Sequence, residues 1–482
     1  MLPATHIDLY QLTSLVPHHV AGHSDDPVVM TFFSRRLPRS VVTGEPARGY
    51  LLWAGLTRCL DHLEQARFDD ERLASLLAQP ILGPTLAEHP DLVDRLRSWR
   101  FRGTIRAPRE GTPLFAGEAI RSNGDRLDVD HVRPAAYVPY LEVATDLLSA
   151  KLIETPLLSI INHMTMVASK ASRVVRAAHA VHPSRAVLEF GTRRTHPEAA
   201  VDAAVAAYIA GCAATSNVEA HTRHGVPLAG TMDHFAIQAW EQPGVPRHET
   251  EEAYFRAFHQ QFPGRDTLLV DTYDTFGERT GIRGAVRAVQ AAGGRGPAGI
   301  RLDSNLTEAN LRRARALLDE LGATDTRIYI SGGMDEHAIA ELSDAPCDGY
   351  GVGERIVTSP DAPVGVGAVG KLSLIRDQPT MKLSRRSGKA TLPGRLQVWR
   401  RDEGDLVGLA DEVHEGEPLL QPVWTEAGGR CELPGLDAAR DHAGRCLRAM
   451  DPALLTPRAA QVQVTDPLAS LVEGCVRRGL SA

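Results

Sequence analysis

Two kinds of sequence feature are scarce, and each scarcity excludes a class of protein. Basic residues form no long blocks, and 53 Lys and Arg against 60 Asp and Glu leave a formal net charge of −7. A nucleic-acid partner is therefore not expected, because phosphate binding usually leaves a basic face. The six cysteines are scattered without the spacing of a zinc site, and they are too few for a disulfide framework.

Long apolar runs are also missing. No stretch of about 20 uninterrupted apolar residues is available to cross a bilayer. The first residues, MLPATHIDLYQLTS, have neither the basic start nor the apolar centre of a signal peptide. We therefore expect a cytoplasmic protein with no membrane partner.

The length and composition predict a globular protein with more than one domain. A chain of 482 residues, with 43% hydrophobic and 23% charged residues, is ordinary for a soluble protein of two domains or more. Residues 1–150 mix helices with polar, extended pieces, and residues 380–430 again look extended and rich in turns. We expect these flanking segments to form a second domain beside the central part of the chain.

The middle of the chain alternates between short apolar runs and helical patterns. Alternation of strands and helices predicts an α/β fold with a parallel sheet. Periodicity alone does not separate a closed barrel from an open doubly wound sheet, but in both, ligands bind at the carboxyl ends of the strands. The strand-like runs are AVLEF (186–190), VPLAGT (226–231), TLLVD (267–271), AGIRLD (298–303), RIYIS (327–331) and GYGVG (349–353).

Charged side chains follow several of these runs directly. Arg193 and Arg194, in LEFGTRRTHPEAA, precede a helix that Pro197 opens, which suits an anion, although surface salt bridges would give the same pattern. Asp271 and Asp274, in LLVDTYDTFGE, have a spacing suited to a ribose diol or to Mg²⁺ held through water. A helix cap is the structural alternative.

Two more strand ends carry polar groups. GIRLDSNL presents Arg301, Asp303 and Ser304 together, and a cap is again the alternative. His234 lies just after another run, in GTMDHFAIQ, where a lone histidine is more often structural.

Glycine-rich turns follow the last two runs, in SGGMDE (331–336) and GYGVGERIVTS (349–359). Backbone amides that no side chain covers can bind a phosphate. Arginine and glycine amides suit phosphate, and the carboxylates suit sugar hydroxyls and Mg²⁺. The residues therefore predict a phosphorylated sugar as the ligand.

In order along nearly the whole chain, these motifs resemble those of the nicotinate phosphoribosyltransferase family. The resemblance implies an irregular α/β barrel, formed by residues 151–370, packed against an α+β domain built from both chain termini, residues 1–150 and 371–482. The motifs that carry it are DLYQLT (8–13), FFSRRLP (32–38), ETPLLSIINHMT (154–165), ASKASRVV (168–175), LEFGTRRTHPEAA, AATSNVEA, GTMDH, LLVDTYDT, GIRLDS, SGGMDE, GVGERIVTS and KLSRRSGKATLPGR.

The resemblance also implies the chemistry and the partners. The family transfers phosphoribosyl from 5-phosphoribosyl 1-diphosphate (PRPP) to nicotinate in NAD salvage, releasing pyrophosphate. Mg²⁺ is the expected cofactor, and many members couple the reaction to ATP through a phosphohistidine. Members are typically dimers with composite active sites, so a homodimer and small-molecule substrates are expected here.

Residue by residue, the resemblance assigns roles in the site. Tyr10 of the neighbouring subunit and Phe190 would stack on the two faces of the base, and Arg193 would hold its carboxylate or the nearby phosphates. His234 would be the phosphorylated residue.

The sugar and phosphates would be bound at the other strand ends. Asp271 and Asp303, beside Arg301, would hold the ribose and the Mg²⁺. The Mg²⁺ would be held through the ligand or through water. Further substrate contacts would come from Ser304 and Ser216. The 5′-phosphate would be bound by Ser331, Gly332, Gly333, Gly351 and Gly353.

Several positions depart from the family motifs. The usual DSGDL is Asp303-Ser304-Asn305-Leu306 here, and Asp233 and Phe235 replace the usual Ala and Ser around the histidine. Glu354 replaces the threonine of the usual GVGT, and a carboxylate beside a phosphate site is expected to be repulsive unless it turns away or binds a cation. Gly370 replaces the tyrosine of a Tyr-Lys-Leu motif, which is expected to leave space.

These departures leave three hypotheses open: a nicotinate enzyme with a tolerant pocket, a paralogue for another heteroaromatic base or phosphosugar, and a ligand-binding paralogue without turnover. An unrelated metal-dependent hydrolase or aldolase barrel would need a histidine cluster or a Schiff-base lysine, and neither is apparent.

Overall fold

The computed structural model describes residues 3–40, 43–360, 365–402, 404–456 and 461–480. The chain divides into two compact units. The terminal unit comprises Met1–Ser169 and Pro360–Ala482, and the barrel unit comprises Lys170–Ser359. None of the described helices is long and apolar enough to span a membrane.

Helices and strands alternate through most of the described chain. The helices are α1 (Leu9–Val20), α2 (Leu56–Gln65), α3 (Asp70–Ala78), α4 (Gly83–Glu88), α5 (Pro90–Ser98), α6 (Leu147–Val181), α7 (Pro197–Ile209), α8 (Val218–His224), α9 (His234–Gln238), α10 (Arg247–Gln261), α11 (Gly281–Ala291), α12 (Glu308–Glu320), α13 (Glu336–Glu341), α14 (Glu354–Val357), α15 (Leu436–Ala449) and α16 (Asp466–Leu480), with 3₁₀ turns at Thr192–Arg194 and Pro452–Leu455. The strands are β1 (Pro27–Ser34), β2 (Leu51–Leu52), β3 (Thr104–Ala107), β4 (Pro113–Leu114), β5 (Ala116–Ile120), β6 (Ala135–Tyr137), β7 (Leu141–Asp146), β8 (Ala186–Glu189), β9 (Ala214–Thr215), β10 (Thr267–Leu269), β11 (Gly299–Leu302), β12 (Arg327–Ser331), β13 (Gly349–Val352), β14 (Ala368–Ile375), β15 (Gln378–Pro379), β16 (Leu396–Arg401), β17 (Gly404–Leu409), β18 (Glu417–Pro418), β19 (Gln421–Thr425), β20 (Gly429–Arg430) and β21 (Gln461–Val464).

The terminal unit interleaves strands from both ends of the chain. Its larger sheet has the order β15-β14-β1-β7-β3-β19-β20, and a second sheet has the order β18-β16-β17-β21-β5-β6. Strand β1 pairs antiparallel with β14, and β21 pairs parallel with β5. Neither sheet could form from one end of the chain alone, so the predicted α+β unit built from both termini is confirmed.

A buried carboxylate links the two halves of the terminal unit. Glu142, which is 1% exposed, accepts hydrogen bonds from Arg106 at 3.0 Å, Arg395 at 3.2 Å and the Leu396 backbone at 2.7 Å. Several donors on one carboxylate offset the cost of burying its charge. Removing Glu142 would leave two arginines without this partner.

The space beside Gly370, in the same unit, is already filled. A Cβ atom at this position would lie 3.2 Å from both Glu154 Cγ and Met30 Sδ. The expectation that loss of the family tyrosine leaves open space is therefore wrong, because neighbouring side chains occupy it.

The barrel unit contains a curled parallel sheet of six strands in the order β10-β11-β12-β13-β8-β9. Every neighbouring pair of these strands is parallel. Helices α7 to α13 connect them, as parallel pairing requires. The predicted α/β class with a parallel, irregular barrel is confirmed, and the carboxyl ends of the six strands lie at the same edge of the sheet.

One predicted strand, VPLAGT (226–231), is wrong. The edge strand is instead β9, two residues long, and Leu228 makes only an isolated bridge with Thr215. Pro227 has no backbone N–H to donate to a ladder. Its carbonyl accepts from Thr215 N at 2.9 Å, and Ala229 N donates to Thr215 O at 2.9 Å.

This stretch bridges the two free edges of the parallel sheet, and we call residues 227–232 the seam segment. One side of it is bound to β9 by the two Thr215 hydrogen bonds. On its other side, Thr231 Oγ1 donates to Thr267 O of β10 at 2.6 Å, and Leu269 N lies 3.4 Å from Met232 Sδ. The seam segment therefore closes the barrel without a regular ladder.

Glu251 of α10 is a fully buried carboxylate in the barrel unit. Its Oε2 accepts a hydrogen bond from Gly281 N, at the start of α11, at 2.9 Å, and its Oε1 has no partner among the described residues. Burial raises the pKa of Glu251 to about 7, although the Gly281 N–H and Arg287 oppose this rise.

We expect Glu251→Gln to stabilise the protein at pH 8 and to have little effect near pH 4.5. The folded pKa is raised from 4.5 to about 7, so deprotonation lowers the free energy of unfolding as pH rises through this window. Glutamine cannot ionise and keeps an acceptor for Gly281 N. Urea unfolding of both proteins between pH 4.5 and pH 8 measures the difference. An equal gain at all pH values would contradict this assignment.

Candidate active site

Asp271, Asp303 and Ser331 form a hydrogen-bonded series at the carboxyl ends of β10, β11 and β12. Asp271 Oδ2 accepts from Asp303 N at 2.8 Å and from Ser304 Oγ at 2.7 Å. Asp303 Oδ1 in turn accepts from Ser331 Oγ at 2.5 Å. We call these three residues the acidic relay, since each strand end fixes the next.

His234 faces the acidic relay. It is the first residue of α9, which Asp233 caps by accepting from Ala236 N at 2.9 Å. Its Nδ1 lies 3.1 Å from Thr272 Oγ1. Its Nε2 lies 4.0 Å from Asp271 Oδ1 and 3.9 Å from Asp303 Oδ2. The structure therefore brings together three residues that the sequence had marked separately.

The acidic relay fits a magnesium ion. Only 2% of the Asp271 side chain is exposed, and its Oδ1 has no hydrogen-bond partner in the described part of the chain. Across residues 3–480 as far as they are described, no three His, Cys, Asp or Glu form a metal-binding group. Mg²⁺ is commonly bound through one or two carboxylates, with waters and substrate phosphates completing its shell.

Arg301 places a positive charge on the barrel interior. Its Nη2 donates to Met232 O of the seam segment at 2.9 Å, while its buried Nε has no partner among the described residues. Burial lowers the pKa of the Arg301 guanidinium, and Asp303 and Asp271 oppose this shift. An N–H group without a partner beside a cavity favours an anionic ligand.

A cavity of about 420 Å³ lies inside the barrel, and Arg301 and Phe190 both line it. Most of its wall is aromatic, aliphatic or glycine, which suits a flat apolar ligand with one polar group. The other lining residues are Leu188, Leu228, Ala229, Gly230, Thr231, Phe258, Phe262, Arg265, Thr267, Tyr329, Ile330 and Gly351.

Glycine residues leave room for the Phe190 ring and for the Asp303 backbone. A Cβ at Gly351 would lie 2.5 Å from the Phe190 ring, so only glycine lets the ring pack against β13. At Gly332, where φ is +96°, a Cβ would collide with Asp303 O. Gly333 follows with φ +66°, and Gly353 precedes α14. The five residues predicted for phosphate thus lie on the ends of the neighbouring strands β12 and β13.

The paired arginines are exposed and differ in their surroundings. Arg193 and Arg194 lie in the 3₁₀ turn after β8, and the positive charge of Arg193 contributes to lowering the pKa of Arg301. Arg194 Nη1 lies 3.9 Å from Glu354 Oε2. The unusual Glu354 therefore turns toward a cation, so the repulsion expected beside a phosphate site is partly compensated.

Asn305 compensates for the missing family glycine. Its φ is +51°, a left-handed conformation that asparagine tolerates better than most side chains. Its carbonyl accepts from Thr307 N and from Asn310 Nδ2, both at 2.9 Å. The turn after Ser304 is therefore formed without a glycine.

Two predicted substrate residues, Ser216 and Tyr10, lie in different units of the chain. Ser216 follows β9, and its Oγ lies 3.5 Å from Thr192 Oγ1, beside the Phe190 loop. Tyr10 belongs to the terminal unit, where it is 53% exposed on α1 with Lys151 Nζ 5.5 Å from its ring. The role of Tyr10 in base stacking stays a prediction.

Sequence reasoning missed Tyr329 and Thr272. Tyr329, in RIYIS, points into the cavity between Gly299 and Gly349, whose Cβ positions would lie 3.1 Å and 3.0 Å from its ring. Glycines on both neighbouring strands are the signal that could have indicated a large inward side chain. No comparable signal marks Thr272 as the partner of His234.

Comparison with known proteins gives consistent names. No protein-family model matches the sequence. The chain is 39% identical over 443 residues to a nicotinate phosphoribosyltransferase of Mycobacterium tuberculosis, covering 92% of this chain and 87% of that protein. It is 34% identical over 439 residues to the nicotinate phosphoribosyltransferase of Bacillus subtilis, covering 87% and 79%.

Solved structures share the fold. Human nicotinic acid phosphoribosyltransferase superposes with a TM-score of 0.76 at 25% identity, covering 97% of this chain and 99% of that one. A nicotinate-nucleotide pyrophosphorylase from Pyrococcus furiosus superposes with a TM-score of 0.66 at 21% identity, covering 92% and 95%. The second similarity concerns the fold alone.

We expect Gly332→Ala to destabilise the protein by about 2–3 kcal/mol, because positive φ and a backbone collision add together. Gly333→Ala is the matched control, since its φ is also positive but nothing lies within 4 Å of its Cβ position. Its cost should be only about 1 kcal/mol. Urea unfolding compares the two, and an equal loss would contradict the close approach of Gly332 to Asp303.

Proposed function

The chain belongs to the nicotinate phosphoribosyltransferase family, and from this premise we propose that it transfers the phosphoribosyl group of PRPP to nicotinate. One observation carries the proposal. The acidic relay, in which Asp271 Oδ1 has no hydrogen-bond partner among the described residues, lies in the same unit as a cavity lined by Phe190 and Arg301. Carboxylates suit a sugar diphosphate with its metal, and the cavity suits an aromatic acid.

Nicotinate matches the cavity in shape and charge. Its flat ring would stack on Phe190, and its carboxylate would accept hydrogen bonds from Arg301, whose Nε has no partner in the described chain. Arg193, which is exposed after β8, would add a second positive charge. Tyr10 of a second copy would cover the other face of the ring, so we propose a homodimer with a composite site.

The phosphosugar would bind across the strand ends. Asp271 and Asp303 would hold the ribose hydroxyls and Mg²⁺, either directly or through water. The glycine turns after β12 and β13 would donate backbone N–H groups to the 5′-phosphate. Bound there, Mg²⁺ would neutralise charge on the leaving diphosphate.

The reaction exchanges one bond at ribose C1 for another. The bond from C1 to the diphosphate oxygen breaks, pyrophosphate leaves with the electron pair, and the nicotinate ring nitrogen forms the new bond to C1. Positive charge develops on the sugar between these events. The carboxylates of the acidic relay stabilise that charge because they are already fixed in place by Ser304 and Ser331.

His234 is the residue that we propose for coupling to ATP. Its Nε2 faces the acidic relay at about 4 Å, a distance that leaves the imidazole beside the phosphosugar site. Transfer of the γ-phosphoryl group to His234 would release ADP. We further propose that the enzyme works in the cytoplasm.

A pyrophosphate-release assay tests the function. The purified protein is given PRPP and Mg²⁺ with nicotinate, nicotinamide or another heteroaromatic acid, each with and without ATP. Release with nicotinate, and formation of nicotinate mononucleotide, is expected. Turnover of another base alone would indicate a specialised paralogue, and binding of PRPP without turnover would indicate a non-catalytic protein.

Asp271→Asn and Asp303→Asn should each lower kcat by at least about 100-fold, the scale of other groups that stabilise developing charge. Asp274→Asn is the matched control, because Asp274 lies on the same loop but caps Phe276 N instead of joining the relay. Steady-state kinetics measure the three variants. A loss below about tenfold in both relay variants would remove the acidic relay from the mechanism.

Arg301→Met should raise KM for nicotinate by about 10- to 100-fold, since the substrate carboxylate loses a charged hydrogen-bond partner. Activity with nicotinamide, which has no carboxylate, should fall much less. Arg193→Met is the control, and its effect should be smaller because exposed charges are screened by solvent. The assignment of the carboxylate to Arg301 is wrong if Arg193→Met has the larger effect on KM.

A further inference from the structure

Glu189 is a buried carboxylate at the base of the Phe190 loop. It ends β8, follows the apolar residues Val187 and Leu188, and is 1% exposed. Burial raises the pKa of its carboxyl group. Such a residue costs stability unless its oxygens are satisfied, so its hydrogen bonds indicate what it does.

Both oxygens of Glu189 accept hydrogen bonds from loops of the site. Oε1 accepts from Gly191 N, in the turn between Phe190 and Arg193. Oε2 accepts from Thr215 Oγ1 at 2.5 Å, on the neighbouring strand β9. Glu189 and Thr215 are partners in the strand register, so their side chains lie on the same face of the sheet.

The network continues into the loop after β9. Thr215 Oγ1 accepts from Asn217 N at 3.0 Å, and Asn217 Oδ1 caps α8 by accepting from Ala220 N at 2.9 Å. The backbone carbonyl of Glu189 accepts from Ser216 N at 2.9 Å. Glu189 therefore holds together the two loops that carry Phe190 and Ser216.

A carboxylate suits this position better than a neutral group. The Gly191 N–H and the Thr215 hydroxyl both donate, and a carboxylate can accept both at once because neither oxygen carries a hydrogen. Glutamine offers one acceptor oxygen and one NH₂ group. With glutamine at this position, one of the two loops would lose its acceptor or have to reorient.

We propose that Glu189 is a positioning residue for the aromatic base, fixing Phe190 and the turn to Arg193 in register with Ser216. The inference rests on the proposed function of the same site. It predicts that Glu189 governs base affinity without touching the base.

The strand order separates this effect from phosphosugar binding. The loops joined by Glu189 follow β8 and β9, at one side of the sheet, whereas the acidic relay follows β10, β11 and β12. Strand β13, which with the turn after it carries two of the glycines proposed for the 5′-phosphate, lies between the two groups. The side-chain carboxylate of Glu189 accepts from Gly191 and Thr215, which belong neither to the acidic relay nor to the glycine turns, so a disturbance at Glu189 should affect the base more than the phosphosugar.

The test compares Glu189→Gln with the wild type in steady-state kinetics. KM for nicotinate should rise on the order of tenfold, because small displacements of a positioning group are costly. KM for PRPP should change by less than about threefold. Thr215→Val should raise KM for nicotinate as well, and the double variant should be little worse than either single one, since both changes break the same hydrogen bond.

Glu142→Gln is the matched control. Glu142 is also a buried carboxylate, 1% exposed, that accepts from Arg106 at 3.0 Å and from Leu396 N at 2.7 Å, but it belongs to the terminal unit and does not line the cavity. Its loss should lower the melting temperature without changing KM for nicotinate.

The proposal is overturned if Glu189→Gln lowers the melting temperature as Glu142→Gln does but leaves KM for the base within about twofold of wild type. Failure of the proposed function is seen separately, in the wild type. If the wild type ignores nicotinate and uses another base, the same ratio of KM values for that base and PRPP decides the role of Glu189. A wild type that neither binds nor converts any aromatic base overturns both.

Discussion

The carboxylate of Asp271 is the constraint on which the arrangement of the site depends. One of its oxygens fixes the first residues after β11, and Asp303 then fixes Ser331 at the end of β12. Only 2% of the Asp271 side chain is exposed, whereas 36% of the Asp303 side chain is exposed. Hydrogen bonds between strand ends thus fix two carboxylates at one edge of the sheet, where we propose that they hold the ribose and Mg²⁺.

The sequence predicted much of this edge and little of the barrel interior. Asp271, Asp303, Ser331 and the glycine turns could be found because residues after parallel strands meet at one edge of a sheet. The seam segment could not be found, since its apolar run reads as a strand until Pro227 and the short β9 are seen together. Tyr329 was missed because an inward-facing side chain has the same alternation as one packed against a helix.

Departures from the family motifs are compensated by their neighbours. Asn305 adopts the left-handed conformation that a glycine would supply, Glu354 faces Arg194, and Asp233 caps α9 just before His234. Each compensation is local, involving backbone geometry or a single ion pair. The turns that carry these substitutions are therefore formed in this chain without the usual family residues.

The seam segment has a consequence for how such enzymes can diverge. In a barrel closed entirely by strands, the girth is set by the number of strands and their stagger, so it changes only in large steps. Here one part of the circumference is a loop, held by two backbone hydrogen bonds to Thr215 and one side-chain bond to Thr267. Inserting or deleting a residue in that loop would widen or narrow the interior gradually. The barrel interior could therefore evolve to accommodate larger or smaller bases while every ladder hydrogen bond of the sheet stays in place.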